Sequence, residues 1–487
     1  MNLVTEALLG AGRTTPSKVA VTTGDGRRVT YGELDHLSGQ LAHVLTLRHG
    51  VSAGDRVAIQ ASTSPEILAL NIACARVGAI YVPLNPAYTD REVCGLLDDA
   101  TPALVVREEP IEHATPRAGL SSLIAEAAGQ PADFDDAPCN AHTPAAMLFT
   151  SGTTGRPKGA VLTHGNLVSN CEMLREVWEF RPEDVVLHVL PLFHTHGLFV
   201  AAYCALSSGA SLLMMESFDA DDACRRLAEA TVFMGVPTHY VRLIGSANLS
   251  RESTATIRLF LSGSAPMRRS THEEFTARTG HAIVERYGMT ETGMITSNPI
   301  DGTRQVGTVG TALPGVMVRL DDTPVGGIEV KGPNVFSHYW NRPALRETEF
   351  TSDGWSKTGD VGALDDDGFL EIVGRAKDLI ISGGYNVYPK EIELVLDSFA
   401  GVAESAVIGL ADDDLGEIVV AVVVPAANAR LDPHALIAFA RRELTRYKVP
   451  RRVEVVEELP RNAMGKVQKA QLRRQLGARG PETTRGD

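Results

Sequence analysis

The sequence predicts a two-part α/β protein: a large N-terminal domain of layered α/β subdomains with a small β-barrel-like lobe, then a smaller α+β domain. Three observations carry this. From Val19 to about Val318, short apolar runs alternate with helical stretches; between Gly307 and Gly374 the runs become short and glycine-punctuated; after Lys377 a unit with its own helix and strand pattern begins. The 487 residues exceed what one hydrophobic core usually supports, and 44% apolar content suits ordinary globular packing. The domains are therefore set at 1–376 and 377–487.

In chain order, Val57 to Gln60 reads as a strand feeding a helix from Ser64 to Val77. Leu104 to Val106 and Ala145 to Phe149 come next as strands, then Val185 to Leu190 with a helix from Leu198 to Ser207, then strands Thr231 to Gly235 and Ile257 to Leu261. Parallel layers of this kind collect ligands at the carboxyl ends of their strands. Gly327 to Val330 and Gly368 to Val373 are the strands of the small lobe, with a hairpin near Asp321 to Gly326. The C-terminal unit should hold helix Pro389 to Asp397, strands near Val402 to Gly409 and Glu417 to Val424, and helix Asp432 to Arg446. The polar tail from Gly477 to Asp487 should fray.

Composition narrows the function. No apolar run approaches the roughly 20 residues of a spanning helix, and Met1 to Gly12 lacks the layout of a signal peptide, so a cytoplasmic protein with no membrane partner is expected. Six scattered cysteines without C-x-x-C spacing read as reduced core thiols. A formal charge of -14 argues against a nucleic-acid surface, so local lysines and arginines must hold any anionic ligand. Small-molecule partners are expected, and the oligomeric state, monomer or homodimer, stays open.

The densest chemistry lies in Leu148-Phe149-Thr150-Ser151-Gly152-Thr153-Thr154-Gly155-Arg156-Pro157-Lys158-Gly159. Glycines bring amides close to a ligand, and hydroxyls and lysine supply donors, so this loop at a strand end suits a polyphosphate. It is no Walker A loop, because Gly-Lys-Ser/Thr is missing. Five more segments come after it: Ser262-Gly263-Ser264-Ala265-Pro266; Glu285-Arg286-Tyr287-Gly288-Met289-Thr290-Glu291-Thr292; Lys357-Thr358-Gly359-Asp360; Gly374-Arg375-Ala376-Lys377-Asp378 with Ser382-Gly383-Gly384-Tyr385-Asn386; and Pro460-Arg461-Asn462-Ala463-Met464-Gly465-Lys466. Over nearly the whole chain this ordered set resembles the adenylate-forming superfamily of acyl-CoA synthetases, acyl-protein adenylation domains and luciferases. The wording Leu192 to Phe199, Met234 to Thr238, Thr279 to Ile283 through Tyr287, and Lys331 to Phe336 is similar to the malonyl-CoA synthetases.

The resemblance implies a ligase that uses ATP, Mg2+ and coenzyme A. Thr150, Ser151, Gly152, Thr153, Thr154, Gly155 and Lys158 would hold the β- and γ-phosphates. Thr290 would meet the α-phosphate and Glu291 the magnesium ion; read alone, Glu291 is equally a first-turn helix acid. Gly263, Ser264, Ala265, Glu285, Tyr287 and Gly288 would enclose adenine, with Arg286 beside them. Asp360 would accept from both ribose hydroxyls and Arg375 would support ribose or phosphate. Lys466 would reach into the site during adenylation, Lys377 would be the hinge of a rotating C-terminal domain, and Ser382, Gly383, Gly384 and Tyr385 would line the pantetheine path.

Substrate choice rests on Arg286, because a buried guanidinium needs an anion and the distal carboxylate of malonate supplies one. An internal salt bridge, for instance with Glu285, is the other reading. His194 resembles a gate to the acyl pocket, Thr195 and Met294 should border the substrate with Ser264, and Arg242 is a second candidate for the distal anion. His194 and His196 as metal ligands lack a third partner nearby. Methylmalonate, another short, medium-chain or aryl acid, a carrier-protein thiol as acceptor, and a catalytically inactive scaffold remain the alternatives.

Overall fold

The computed structural model describes residues 2–151, 157–302, 304–322, 324–461 and 466–477. The chain forms two compact units. The larger comprises Met1–Arg319, Glu329–Thr358 and Asp365–Leu370; the smaller comprises Leu320–Ile328, Gly359–Leu364 and Glu371–Asp487. The chain passes between them more than once, and Asp360 belongs to the same unit as Lys466.

Two sheets organise the larger unit. The nine-stranded sheet runs Thr311–Ala312, Gly293–Ser297, Ile283–Met289, Leu259–Ser262, Val232–Gly235, Val185–His188, Ser211–Met214, Val19–Thr23, Arg28–Thr30. Its six central strands are parallel, and antiparallel strands close both edges. The seven-stranded sheet runs His338–Tyr339, Pro157–Thr163, Pro144–Ser151, Ile80–Pro83, Arg56–Ile59, Leu104–Val106, Arg117–Ala118. Strands Val185–His188 and Val232–Gly235 are uniformly apolar except for the histidine and glycine ends, as burial on both faces demands. Helix Pro65–Val77 is buried along almost its whole length, with proline at its first position and Gly78 in the left-handed conformation ending it.

The glycine-punctuated region forms a four-stranded sheet of Met317–Leu320, Val325–Lys331, Ser356–Leu364 and Leu370–Arg375 in that order. In the smaller unit, Gly416–Pro425 is flanked by Val402–Asp412, Ile380–Ser382 and, in parallel, Arg452–Val455. Its side chains alternate between two cores. Val419, Ala421 and Val423 face helices Pro389–Asp397 and Pro433–Glu443, whereas Val420 and Val422 face helix Lys469–Gly477 through Leu472 and Leu476.

One expected element has a different form. The stretch read as a helix from Leu198 begins at His196 as a fully buried π-helix, His196–Ala202, and becomes α-helical only over Tyr203–Ser207. All six cysteines are free thiols, five of them buried.

Candidate active site

Two paired strands flank the glycine-rich stretch in the sequence. Pro144–Ser151 pairs antiparallel with Pro157–Thr163, with Thr150 opposite Lys158. Gly152, Thr153, Thr154 and Gly155 of that stretch lie outside the described residues, as do the side chain of Ser151 and positions 462–465 of the C-terminal motif. In the second strand, Lys158 is 8% exposed; its Nζ donates to Glu349 Oε1 at 2.7 Å and lies 5.0 Å from the centre of the Tyr339 ring.

Glu291 is in a turn, which overturns its reading as a helix acid. Strands Ile283–Met289 and Gly293–Ser297 pair antiparallel, and Thr290, Glu291 and Thr292 link them. Two amides from distant segments hold this turn. Asn170 Nδ2 donates to the Met294 carbonyl at 2.9 Å while its Oδ1 accepts from the Met294 amide at 3.0 Å, and Asn334 Nδ2 donates to the Thr292 carbonyl at 2.7 Å. The Phe336 amide donates to the Glu291 carbonyl at 2.7 Å. The buried Glu291 carboxylate accepts from Thr150 Oγ1 and from the Tyr339 hydroxyl, each at 2.9 Å and both at Oε1. Among the described residues no hydrogen bond reaches Oε2, which suits a carboxylate that gives one oxygen to a hard cation.

Thr195 and Thr290 bring their hydroxyl oxygens to 3.4 Å, joining the Phe193-His194-Thr195 segment to this turn. His194 Nδ1 accepts from the His196 amide at 3.3 Å. His196 is buried, with Nδ1 3.3 Å from Ser264 Oγ and Nε2 lacking a partner among the described residues. Burial, then the nearby Arg286 guanidinium, holds its pKa well below the usual histidine range, so it is neutral. Ser264 has a φ of 69°, an uncommon conformation for a side-chain-bearing residue and one that marks the end of strand Leu259–Ser262 as strained.

Arg286 is 3% exposed, and its Nε and Nη2 have no hydrogen-bond partner among the described residues. Burial lowers its pKa to about 10. The expected alternative, a salt bridge to Glu285, does not form among the described residues, because consecutive strand residues point to opposite faces. Gly263 lies against it: a Cβ there would lie 2.4 Å from Arg286 Nη1, so any side chain would displace the guanidinium. The second anion candidate, Arg242, is corrected by the fold. Helix Pro237–Gly245 turns Tyr240 and Leu243 inward and leaves Arg242 exposed. Met294, by contrast, is buried. Among the described residues no cluster of three metal-ligating side chains exists, His194 and His196 included.

In the smaller unit, Arg375 Nε lies 2.9 Å from Asp360 Oδ1, and Asp360 is buried. Lys466 keeps accessible surface, yet its ammonium is crowded by protein. Lost hydration, and then Arg375 and Lys377, lower its pKa to about 8 against the opposing pull of Asp360 and Asp378. Lys377 lies in the short turn Ala376–Asp378, and Gly383 and Gly384 both take positive φ between strands Ile380–Ser382 and Tyr385–Val387.

The family models that match are the AMP-binding enzyme, over residues 10–340, and the AMP-binding enzyme C-terminal domain, over 391–466. The chain is 36% identical to malonate–CoA ligase of Arabidopsis thaliana, covering 88% of this chain and 79% of that one. It is 35% identical to feruloyl-CoA synthase of an Amycolatopsis species, over 96% and 97%. The ATP-bound crystal structure of MatB from Rhodopseudomonas palustris superposes with a TM-score of 0.94 at 45% identity, over 98% and 99% of the two chains.

Proposed function

This chain belongs to the AMP-binding enzyme family, and from that premise we propose that it is an AMP-forming malonate–CoA ligase. It converts malonate, ATP and CoA into malonyl-CoA, AMP and pyrophosphate through a malonyl-adenylate. The observation that carries the choice of acid is Arg286: a buried guanidinium with two nitrogens unpaired among the described residues, over a glycine, is completed by the far carboxylate of a short diacid.

In the first step one malonate carboxylate oxygen attacks the α-phosphorus and pyrophosphate leaves. Two anions approach, so the site must supply fixed donors and cations. Lys158, Thr150 and residues 151–155 take the β- and γ-phosphates; Thr290 meets the α-phosphate; Glu291 would hold Mg2+, which when bound would offset the phosphate charge. Gly263 to Ala265 with Glu285, Tyr287 and Gly288 surround adenine. Asp360, paired with Arg375, takes the ribose hydroxyls, and Lys466 neutralises charge between carboxylate and phosphate. His194, Thr195, Met294 and Ser264 border the acid, and the bulk of His194 and Met294 favours a short one.

In the second step the CoA thiolate attacks the mixed-anhydride carbonyl and AMP leaves. Lys377 serves as the hinge between 1–376 and 377–487, and Ser382 to Tyr385 line the thiol's path. A cytoplasmic location is part of this reading; separately, among the described residues no helix is long and apolar enough to cross a membrane. The test is pyrophosphate release with malonate, methylmalonate, acetate, octanoate and ferulate as competing acids. Malonate should give the highest kcat/KM in the parent, and that preference should vanish in Arg286→Ala. A parent that prefers any monocarboxylate refutes malonate as substrate.

A further inference from the structure

Two opposite charges of the candidate site, the Lys158 ammonium and the Glu291 carboxylate, are not joined to each other. Lys158 is paired with Glu349, and among the described residues the Glu291 carboxylate accepts only from neutral hydroxyls. One side chain touches both: Tyr339 donates its hydroxyl to Glu291 Oε1 at 2.9 Å and presents its ring to Lys158 Nζ at 5.0 Å from the centroid.

Strand register explains the placement. His338–Tyr339 pairs antiparallel with Pro157–Thr163, His338 opposite Val161 and Tyr339 opposite Ala160, and the Trp340 amide donates to the Gly159 carbonyl at 2.7 Å. Tyr339 thus sits diagonally from Lys158 across the ladder, within reach of a long side chain. The ring packs edge-on against Phe336, with centroids 4.8 Å apart, and the Phe336 amide holds the Glu291 carbonyl.

We propose that Tyr339 is a positioning residue that keeps Glu291 and Lys158 apart and separately oriented, its hydroxyl serving the carboxylate and its ring face serving the ammonium. A direct Lys158–Glu291 ion pair would tie up the carboxylate that the metal needs. The phenol gives Glu291 a neutral donor, and its ring face lies beside a lysine whose ion pair is with Glu349 instead. With Thr150, the hydroxyl fixes Oε1 and leaves Oε2 to face the cation. This rests on the reading of Glu291 as the magnesium carboxylate and Lys158 as the phosphate lysine.

Two substitutions separate the functions: Tyr339→Phe keeps the ring and removes the hydroxyl, and Tyr339→Leu removes both. Calorimetric titration of ATP into the protein, with and without Mg2+ and with AMP as reference, reads binding independently of turnover. In Tyr339→Phe the affinity for Mg2+·ATP should fall about tenfold, the range expected for a lost hydrogen bond to a charge, while AMP affinity and malonate KM stay at parent values. In Tyr339→Leu metal-free ATP should also bind about threefold more weakly, as loss of a cation–π contact predicts. The proposal is overturned if Tyr339→Phe binds Mg2+·ATP like the parent, or if both variants lose AMP affinity and melting temperature in parallel, the mark of a packing role. If Mg2+ fails to tighten ATP binding to the parent, the metal reading of Glu291 falls, and the bridge falls with it.

Discussion

Lys158 and Arg286 are two buried cations of one unit, and the fold treats them in opposite ways. Lys158 is paired with Glu349 and rests on an aromatic ring. Arg286 is more deeply buried, and two of its nitrogens face no acceptor among the described residues. A guanidinium held near 10 against an ordinary 12.5 is disfavoured by roughly 3 kcal/mol in the free fold. In the proposed function the difference tracks the ligands: a polyphosphate brings enough charge to displace a carboxylate such as Glu349, whereas a small diacid binds tightly only if no internal acceptor competes for its arginine.

The largest expected effect breaks the comparison at the arginine. Replacement of Arg286 by Met should lower kcat/KM for malonate by about 10²–10³-fold, since truncating one partner of a buried charge pair costs about 2–5 kcal/mol. The same change should raise the melting temperature of the ligand-free protein, because it removes an uncompensated buried charge. A lower melting temperature would show that Arg286 has a structural partner. As a control outside both sites, Lys377→Pro should retain adenylate formation at near-parent rate and slow thioester formation by about 10²-fold, the scale of a misplaced catalytic geometry. Equal loss of both partial rates defeats the hinge.

Lys158→Met should raise KM for ATP by roughly tenfold and lower the melting temperature, because it strands the partly buried Glu349. The two cations should therefore shift unliganded stability in opposite directions. Gly263→Ala should raise KM for malonate about tenfold with smaller effect on ATP, because the new methyl group meets the guanidinium and must displace it. Last, the adenylation rate should fall as pH rises through about 8. Lys466 loses its proton there, and the charged form is the one required; between pH 7 and 9 the decline should be about tenfold. Lys466→Arg, if active, should abolish that limb.

The polar types of the proposed site come from phosphate chemistry, which narrows them to glycine, hydroxyl, lysine and carboxylate in a fixed order. The strand leading into the glycine-rich loop, the parallel layers and the smaller unit's helices were legible from apolar spacing, but the return strand Pro157–Thr163 was not. Partners set by tertiary contact were not. Asn170, 124 residues from Met294, and Asn334 look like ordinary polar residues until the fold brings them to the Glu291 turn. Glu349 and Tyr339 sit in a segment where only composition spoke. Arg242 was misjudged because its helix periodicity, with Tyr240 and Leu243 inward, was not weighed against its charge. The wholly apolar run after His196 carries no contrast by which to tell a π turn from an α turn.

That run has a consequence for how such a pocket can change. A wide turn holds more residues per revolution than an α-helix, so deleting one residue within 196–202 would let the segment take up ordinary winding while the downstream helix keeps nearly the same phase. Tyr203, whose hydroxyl meets Asn71 Oδ1 at 2.9 Å, would keep its facing, and the strain of the change would fall on His196 and its contact with Ser264 at the segment's start. In the proposed function His194 and Thr195 border the acid, so where that border lies is a property of chain length as much as of side-chain size.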